Sequence, residues 1–251
     1  MTPWEAAAIL VAGAGAGGIN AVVGSGSLIT FPTLVALGYP PVVANVSNNI
    51  GLVPGSITGT WGYRRELAGR SGLLLRLGSA SLVGAVMGAL LLLWLPEKAF
   101  RMIVPALIAI ALVLVVVQPK LNRWVAKRRK TEAAHGGALL WGLVCLAGVY
   151  GGYFGAAQGI LLISLLGIFL ADDMQTVNGL KNGLSGIVNA AAAVIFIAIA
   201  EVDWWAVLLI GIGATLGGYL GASVGRKLPT WALRGVIVCV GLTAIAKLLL
   251  G

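Results

Sequence analysis

Carboxylates are scarce in this chain. Among 251 residues Asp and Glu together number 8, histidine occurs once, and all charged residues make up 10%. Each acid (Glu5, Glu66, Glu97, Glu132, Asp172, Asp173, Glu201, Asp203) lies at the end of an apolar run or between two of them. A proton relay would place Asp, Glu or His inside such runs, and a metal-cation path would use acidic or carbonyl ligands. An intramembrane hydrolase would need a nucleophile beside a base, and no such pair, Walker loop or metal-ligand cluster can be assembled. The chain therefore reads as a non-enzyme that needs no cofactor and no metal. Cysteine is equally sparse: Cys145 and Cys239 both sit in apolar runs and read as small packing residues, not a disulfide framework.

What is abundant is apolar surface. Hydrophobic residues make up 59% and glycine contributes 37 positions. The mean hydropathy is +0.99. A soluble domain of this size could not hide that much apolar surface in one core, so the solvent is lipid and the protein is all-α and polytopic. The net charge of +9 does not mark a nucleic-acid binder. Lys120, Arg123, Lys127, Arg128, Arg129 and Lys130 form one short stretch, and most other cations flank apolar segments, where they orient spans toward the cytoplasm. Met1–Glu5 has no basic leader and reads as the start of the first helix.

The chain aligns with itself at a constant offset of 133 residues: Gly18 with Gly151, Gly26 with Gly159, Asn45 with Asn178, Asn49 with Asn182, Gly84 with Gly217, Gly88 with Gly221, Pro96 with Pro229 and Arg101 with Arg234. This predicts a first membrane repeat over 1–117, a basic cytoplasmic linker over 118–135 and a second repeat over 136–251. The basic loop with Arg64, Arg65 and Arg70 has as its counterpart a loop with Glu201 and Asp203, so the charge bias flips between halves, as inverted topology requires. Each repeat is expected to hold a short or re-entrant helix pair and about three spanning helices. Whether the first two segments of each repeat both span or re-enter stays open.

Two features carry the candidate site. Gly24-Ser25-Gly26 and its counterpart Gln158-Gly159 interrupt apolar helices. Such a break leaves N–H groups able to bind an anion, or else is a tight turn at the surface. The following segments carry matched polar stripes: Asn45, Asn48, Asn49 and Ser56 in one half, Asn178, Lys181, Asn182, Ser185 and Asn189 in the other. From Pro41 to Asn49 a helix rises about 12 Å, which puts Asn49 and Asn182 near mid-membrane. Interhelical hydrogen bonding would explain one or two amides; two matched stripes suit a substrate path. Lys181 is the one cation deep inside a segment, either facing an anion or snorkelling toward the interface beside Asp172 and Asp173. The pairs Gly84/Gly88 and Gly217/Gly221 are G-x-x-x-G spacings expected to let helices pack closely.

Residues Gly18–Gly38, with Gly24-Ser-Gly26, Phe31-Pro32-Thr-Leu and Gly38-Tyr-Pro-Pro, together with the mid-chain copy Gly151-Gly-Tyr-Phe-Gly155-Ala-Ala-Gln-Gly159, resemble the TauE/SafE sulfite-exporter family. The resemblance covers nearly the whole chain. It implies a multi-pass transporter of the bacterial inner membrane whose partners are the lipid bilayer and a small anion, sulfite or an organosulfonate among them, with a homodimer compatible. The chain departs from the usual pattern at Asn45-Val-Ser47-Asn48-Asn49 and at Leu165, which stands where Pro32 has its counterpart. The expectation is export of a sulfur-containing anion through a midplane site between the repeats. The alternatives are an anion channel, or an uptake permease for another small oxyanion or carboxylate.

Overall fold

The computed structural model describes residues 1–128, 137–223 and 230–250. They form α1 (Pro3–Val22), α2 (Ser27–Ala36), α3 (Pro41–Gly62), α4 (Ser71–Trp94), α5 (Glu97–Arg128), α6 (Gly137–Tyr153), α7 (Gln158–Phe169), α8 (Met174–Ile199), α9 (Trp204–Ser223) and α10 (Thr230–Leu250). No strand occurs among the described residues.

Local chemistry sets the boundaries. Thr2 and Glu5 close a capping box around Pro3, which starts α1. Pro41 occupies the first turn of α3, where a missing N–H costs nothing. Asp173 caps α8 by accepting from the amides of Gln175 at 2.8 Å and Thr176 at 3.1 Å. Asp203 does the same for α9 through the Ala206 amide at 2.8 Å.

Among the described residues, five helices are long and apolar enough to cross a membrane: Pro3–Val22, Ser71–Trp94, Glu97–Leu121, Met174–Ile199 and Trp204–Ser223. The second segment of each half is short, 10 residues in α2 and 12 in α7. At the helical rise these reach only about 15 and 18 Å, too little to span the hydrocarbon alone. The segment expected as a linker, 118–135, is helical as far as Arg128, because α5 continues through Pro119 beyond its apolar stretch. The rest of that segment lies outside the described residues. Trp4, Trp94, Trp204 and Trp205 are exposed at helix ends, where amphipathic rings favour the interface.

The helices pack in matched combinations. α1 lies on α9 and α6 on α4; α3 meets α9 and α8 meets α4; α10 touches α2 and α5 touches α7; α3 and α8 pack against each other. Glycine permits the closest of these approaches. A Cβ on Gly84 or Gly88 would run into the α6 backbone at Cys145 and Val149, and one on Gly217 or Gly221 into the α1 backbone at Ala14 and Gly18. Where lipid surrounds the helices, such backbone proximity supplies the dispersion contacts that hold them together.

Candidate functional site

The polar residues concentrate where α3 and α8 pack together and where α1 and α6 end. α1 stops because Gly24 adopts φ +84°, in the left-handed region that glycine enters freely. Its last carbonyls then need donors from elsewhere, since no further turn of helix follows to satisfy them. α8 supplies most of these. Lys181 Nζ donates to Asn20 O at 2.7 Å and Ala21 O at 3.2 Å, and Asn182 Nδ2 donates to Ala21 O at 3.2 Å. Gln118 on α5 adds a bond to Val23 O at 3.3 Å.

The end of α6 is treated alike from the other side. Asn45 Nδ2 on α3 donates to Tyr153 O at 3.0 Å. Between the two ends Asn49 Nδ2 donates to Asn189 Oδ1 at 3.4 Å, and Asn189 Nδ2 donates to Ser56 Oγ at 3.2 Å. Asn48, the counterpart of Lys181 at the 133-residue offset, accepts a bond from Thr30 on α2. The two breaks touch directly, because Gly159 N donates to Gly24 O at 3.0 Å.

Lys181 does not snorkel. It is 1% exposed and is the one charged side chain among the buried residues described. Its two recorded partners are neutral carbonyls, which leaves one of the three ammonium N–H groups for another acceptor. The negative end of the α1 dipole also faces it. The ion pairs among the described residues are Arg70–Asp172 and Arg101–Glu97, so neither involves Lys181. Several buried polar atoms on the residues of the breaks and the two polar stripes have no partner: Ser25 Oγ, Asn49 Oδ1, Asn178 Oδ1 and Ser185 Oγ. Buried polar groups are normally satisfied, so such exceptions mark places for a ligand or water.

At the breaks, Leu28 N, Ile29 N, Gln158 N, Gly159 N and Ile160 N bond to nearby carbonyls. Tight turns and the Gly159–Gly24 bond satisfy these five amides. Gly26 packs against Ala16 and makes no side-chain cap, while Gln158 Nε2 is bonded to Ala147 O at 3.2 Å. On the stripes and breaks, buried unpartnered polar atoms come from α3 (Asn49), from α8 (Asn178, Ser185) and from the first break (Ser25). Sequence reasoning missed the α1 and α6 carbonyls as partners, with Gln118 and Thr30. The available signal was the break after Val22, which strands carbonyls on its near side as surely as N–H groups on its far side.

Among the described residues no group of three or more His, Cys, Asp or Glu is placed to hold a metal ion. Outside the spans, hydrogen bonds from the Thr176 hydroxyl and amide hold the Asp173 carboxyl below its ordinary range.

Comparison with known proteins gives a consistent set. The family model described as "Sulfite exporter TauE/SafE" matches residues 9–248. A protein of Escherichia coli K12 named "Probable membrane transporter protein YfcA" is 32% identical over 243 residues, covering 93% of this chain and 86% of that protein. A protein of Sinorhizobium sp. named "Probable membrane transporter protein ORF9" is 29% identical over 241 residues, covering 93% and 88%. One from Haemophilus influenzae, named "Probable membrane transporter protein", is 24% identical over 232 residues, covering 92% and 89%. No solved structure matches.

Proposed function

This chain belongs to the sulfite exporter TauE/SafE family of membrane transporters, and from that premise we propose that it exports a small, sulfur-containing anion such as sulfite or an organosulfonate. The anion binds between two inverted repeats, 1–117 and 136–251, in the bacterial inner membrane, with the basic linker and the Arg64–Arg70 loop on the cytoplasmic side. The matched helix pairings support the repeat, as does the reciprocal way α3 caps α6 and α8 caps α1.

The carrying observation is Lys181. A buried cation without a countercharge is costly by several kcal/mol. Two carbonyls reduce that cost without neutralising the charge, whereas an arriving anion neutralises it. Anion binding therefore draws the ammonium away from Asn20 O and Ala21 O and frees the end of α1. The unpartnered Ser185 hydroxyl and the side-chain N–H groups of Asn178 and Asn182 supply the neutral donors that orient the oxyanion. With no interior carboxylate to carry a proton, the driving force for export is electrical, about 2.3 kcal/mol per charge at 100 mV.

The test is efflux of sulfite and of methanesulfonate, a sulfonate with a net negative charge, from proteoliposomes under an imposed potential. Lys181→Met is expected to cut flux at least 100-fold, as losing a buried charge partner worth about 3 kcal/mol implies. Lys181→Arg keeps the charge but alters its reach, and should retain a measurable fraction. Undiminished flux in folded Lys181→Met overturns the assignment. Non-saturating flux without counter-exchange would make the protein a channel.

A further inference from the structure

Between the C-terminal half of α3 and the middle of α8 runs a groove of about 500 Å³, open to the outside of the helix bundle. Gly183 and Gly186 lower its α8 wall, and Ile57, Thr60 and Leu74 flank it. From Ser56 at the inner end to Arg64 at the mouth α3 rises about 12 Å. The inner end makes no unmet polar demand on an occupant: Ser56 Oγ accepts from Asn189 and donates to Leu52 O at 3.1 Å. An alkyl chain can therefore lie along the groove at no polar cost.

The mouth is charged and fixed. The Arg64 guanidinium stands 5.0 Å from the centre of the Trp61 ring, and its Nη1 donates to Trp61 O at 3.1 Å. Trp61 is 64% exposed, as an interface anchor should be. No ion pair recorded among the described residues includes Arg64, whose side chain is exposed. A guanidinium held over a ring presents a donor fork that fits a phosphate. Arg65 adjoins it, Glu66 follows, and Arg70 is already paired with Asp172.

We propose that this groove is a binding site for an anionic phospholipid, with one acyl chain along Gly183 and Gly186 and the phosphate on Arg64. A zwitterionic lipid fits less well, because its choline would be held close to Arg64 and Arg65. Bulk lipid would cover any apolar face; the fixed cation at the groove mouth is what selects a headgroup.

The full chain, exchanged into detergent containing either phosphatidylglycerol or phosphatidylcholine, is examined by native mass spectrometry. Wild type is expected to retain one phosphatidylglycerol and several-fold less phosphatidylcholine. Arg64→Gln should lower phosphatidylglycerol retention about fivefold, the effect of one interfacial cation. Arg65→Gln, whose side chain does not line the groove, should leave most of it. Gly186→Leu should exclude both lipids by filling the groove, since a Cβ there meets Ser56 Cβ at an ordinary 3.5 Å. Equal retention of the two lipids by wild type overturns the site, as does an Arg65→Gln loss matching that of Arg64→Gln. Size-exclusion elution of each variant separates lost lipid from lost fold, and the arginine comparison stands even if Gly186→Leu fails to fold.

Discussion

Residues 24 and 157 occupy the same place in the two halves and have the same kind of backbone, φ +84° at Gly24 and +61° at Ala157. Their tolerances nonetheless differ. A Cβ on Gly24 would stand 2.5 Å from Gly159 Cα and 2.8 Å from its carbonyl carbon, so the chain crossing at the breaks leaves it no room. Left-handed backbone costs a non-glycine residue about 1–2 kcal/mol, and overpacking against backbone adds about as much again. Gly24→Ala is expected to destabilise by about 3 kcal/mol, read as a lower Tm in detergent. Ala157→Gly should stay within about 1 kcal/mol of wild type, because relief of the backbone is offset by glycine's greater entropy loss on folding. Similar Tm values for the two variants would refute this account of the breaks.

Helix ends are the part of the fold most legible in the sequence, and the cap of α8 shows why. Asp173 satisfies two amides that no turn of the helix can reach, so its position ahead of Met174 announces the start. Removing it in Asp173→Ala should cost about 1 kcal/mol. The Thr176 bonds depress the carboxyl's folded-state pKa, so the unfolded chain takes up a proton first as pH falls. The contribution is then complete at neutral pH and is lost below about pH 4, as the folded value is passed. A Tm difference between Asp173→Ala and wild type that closes on acidification is the expected result; a constant difference would mean that charge plays no part. The end of α5 was not legible in the same way. An apolar count stops where the hydrocarbon stops, but a helix does not, and Lys, Arg and Ala carry α5 on to Arg128. That extension places Gln118 against Val23 O, a contact no spacing along one helix reveals. The candidate site follows the same logic. The stripe of amides on α8 is a one-dimensional pattern and can be read, whereas the partner of Lys181 depends on α8 meeting α1 in space.

At the scale of the whole molecule, the matched pairings make a quantitative demand. If 1–117 and 136–251 are equivalent repeats, the α4–α6 and α1–α9 contacts are two copies of one joint, each closed by a G-x-x-x-G pair. Gly84 faces the Cys145 carbonyl and Gly148, and Gly217 faces the Ala14 carbonyl and the Gly18 amide; at both a side chain would strike main chain, which cannot rotate away. Valine at either position should therefore cost about 3 kcal/mol or more, enough to remove much of a fold whose helices have little hydrophobic drive toward each other in lipid. The informative quantity is the difference between them. Equivalent joints predict Gly84→Val and Gly217→Val to lower folded yield and Tm to nearly the same extent. The double variant should lose close to the sum, since distant sites add. One position tolerating valine while the other does not would show that the halves, although written alike, no longer hold together alike. Lys181 standing opposite Asn48 would then be one of several asymmetries, where the present reading makes it the one that gives the transport site its sign.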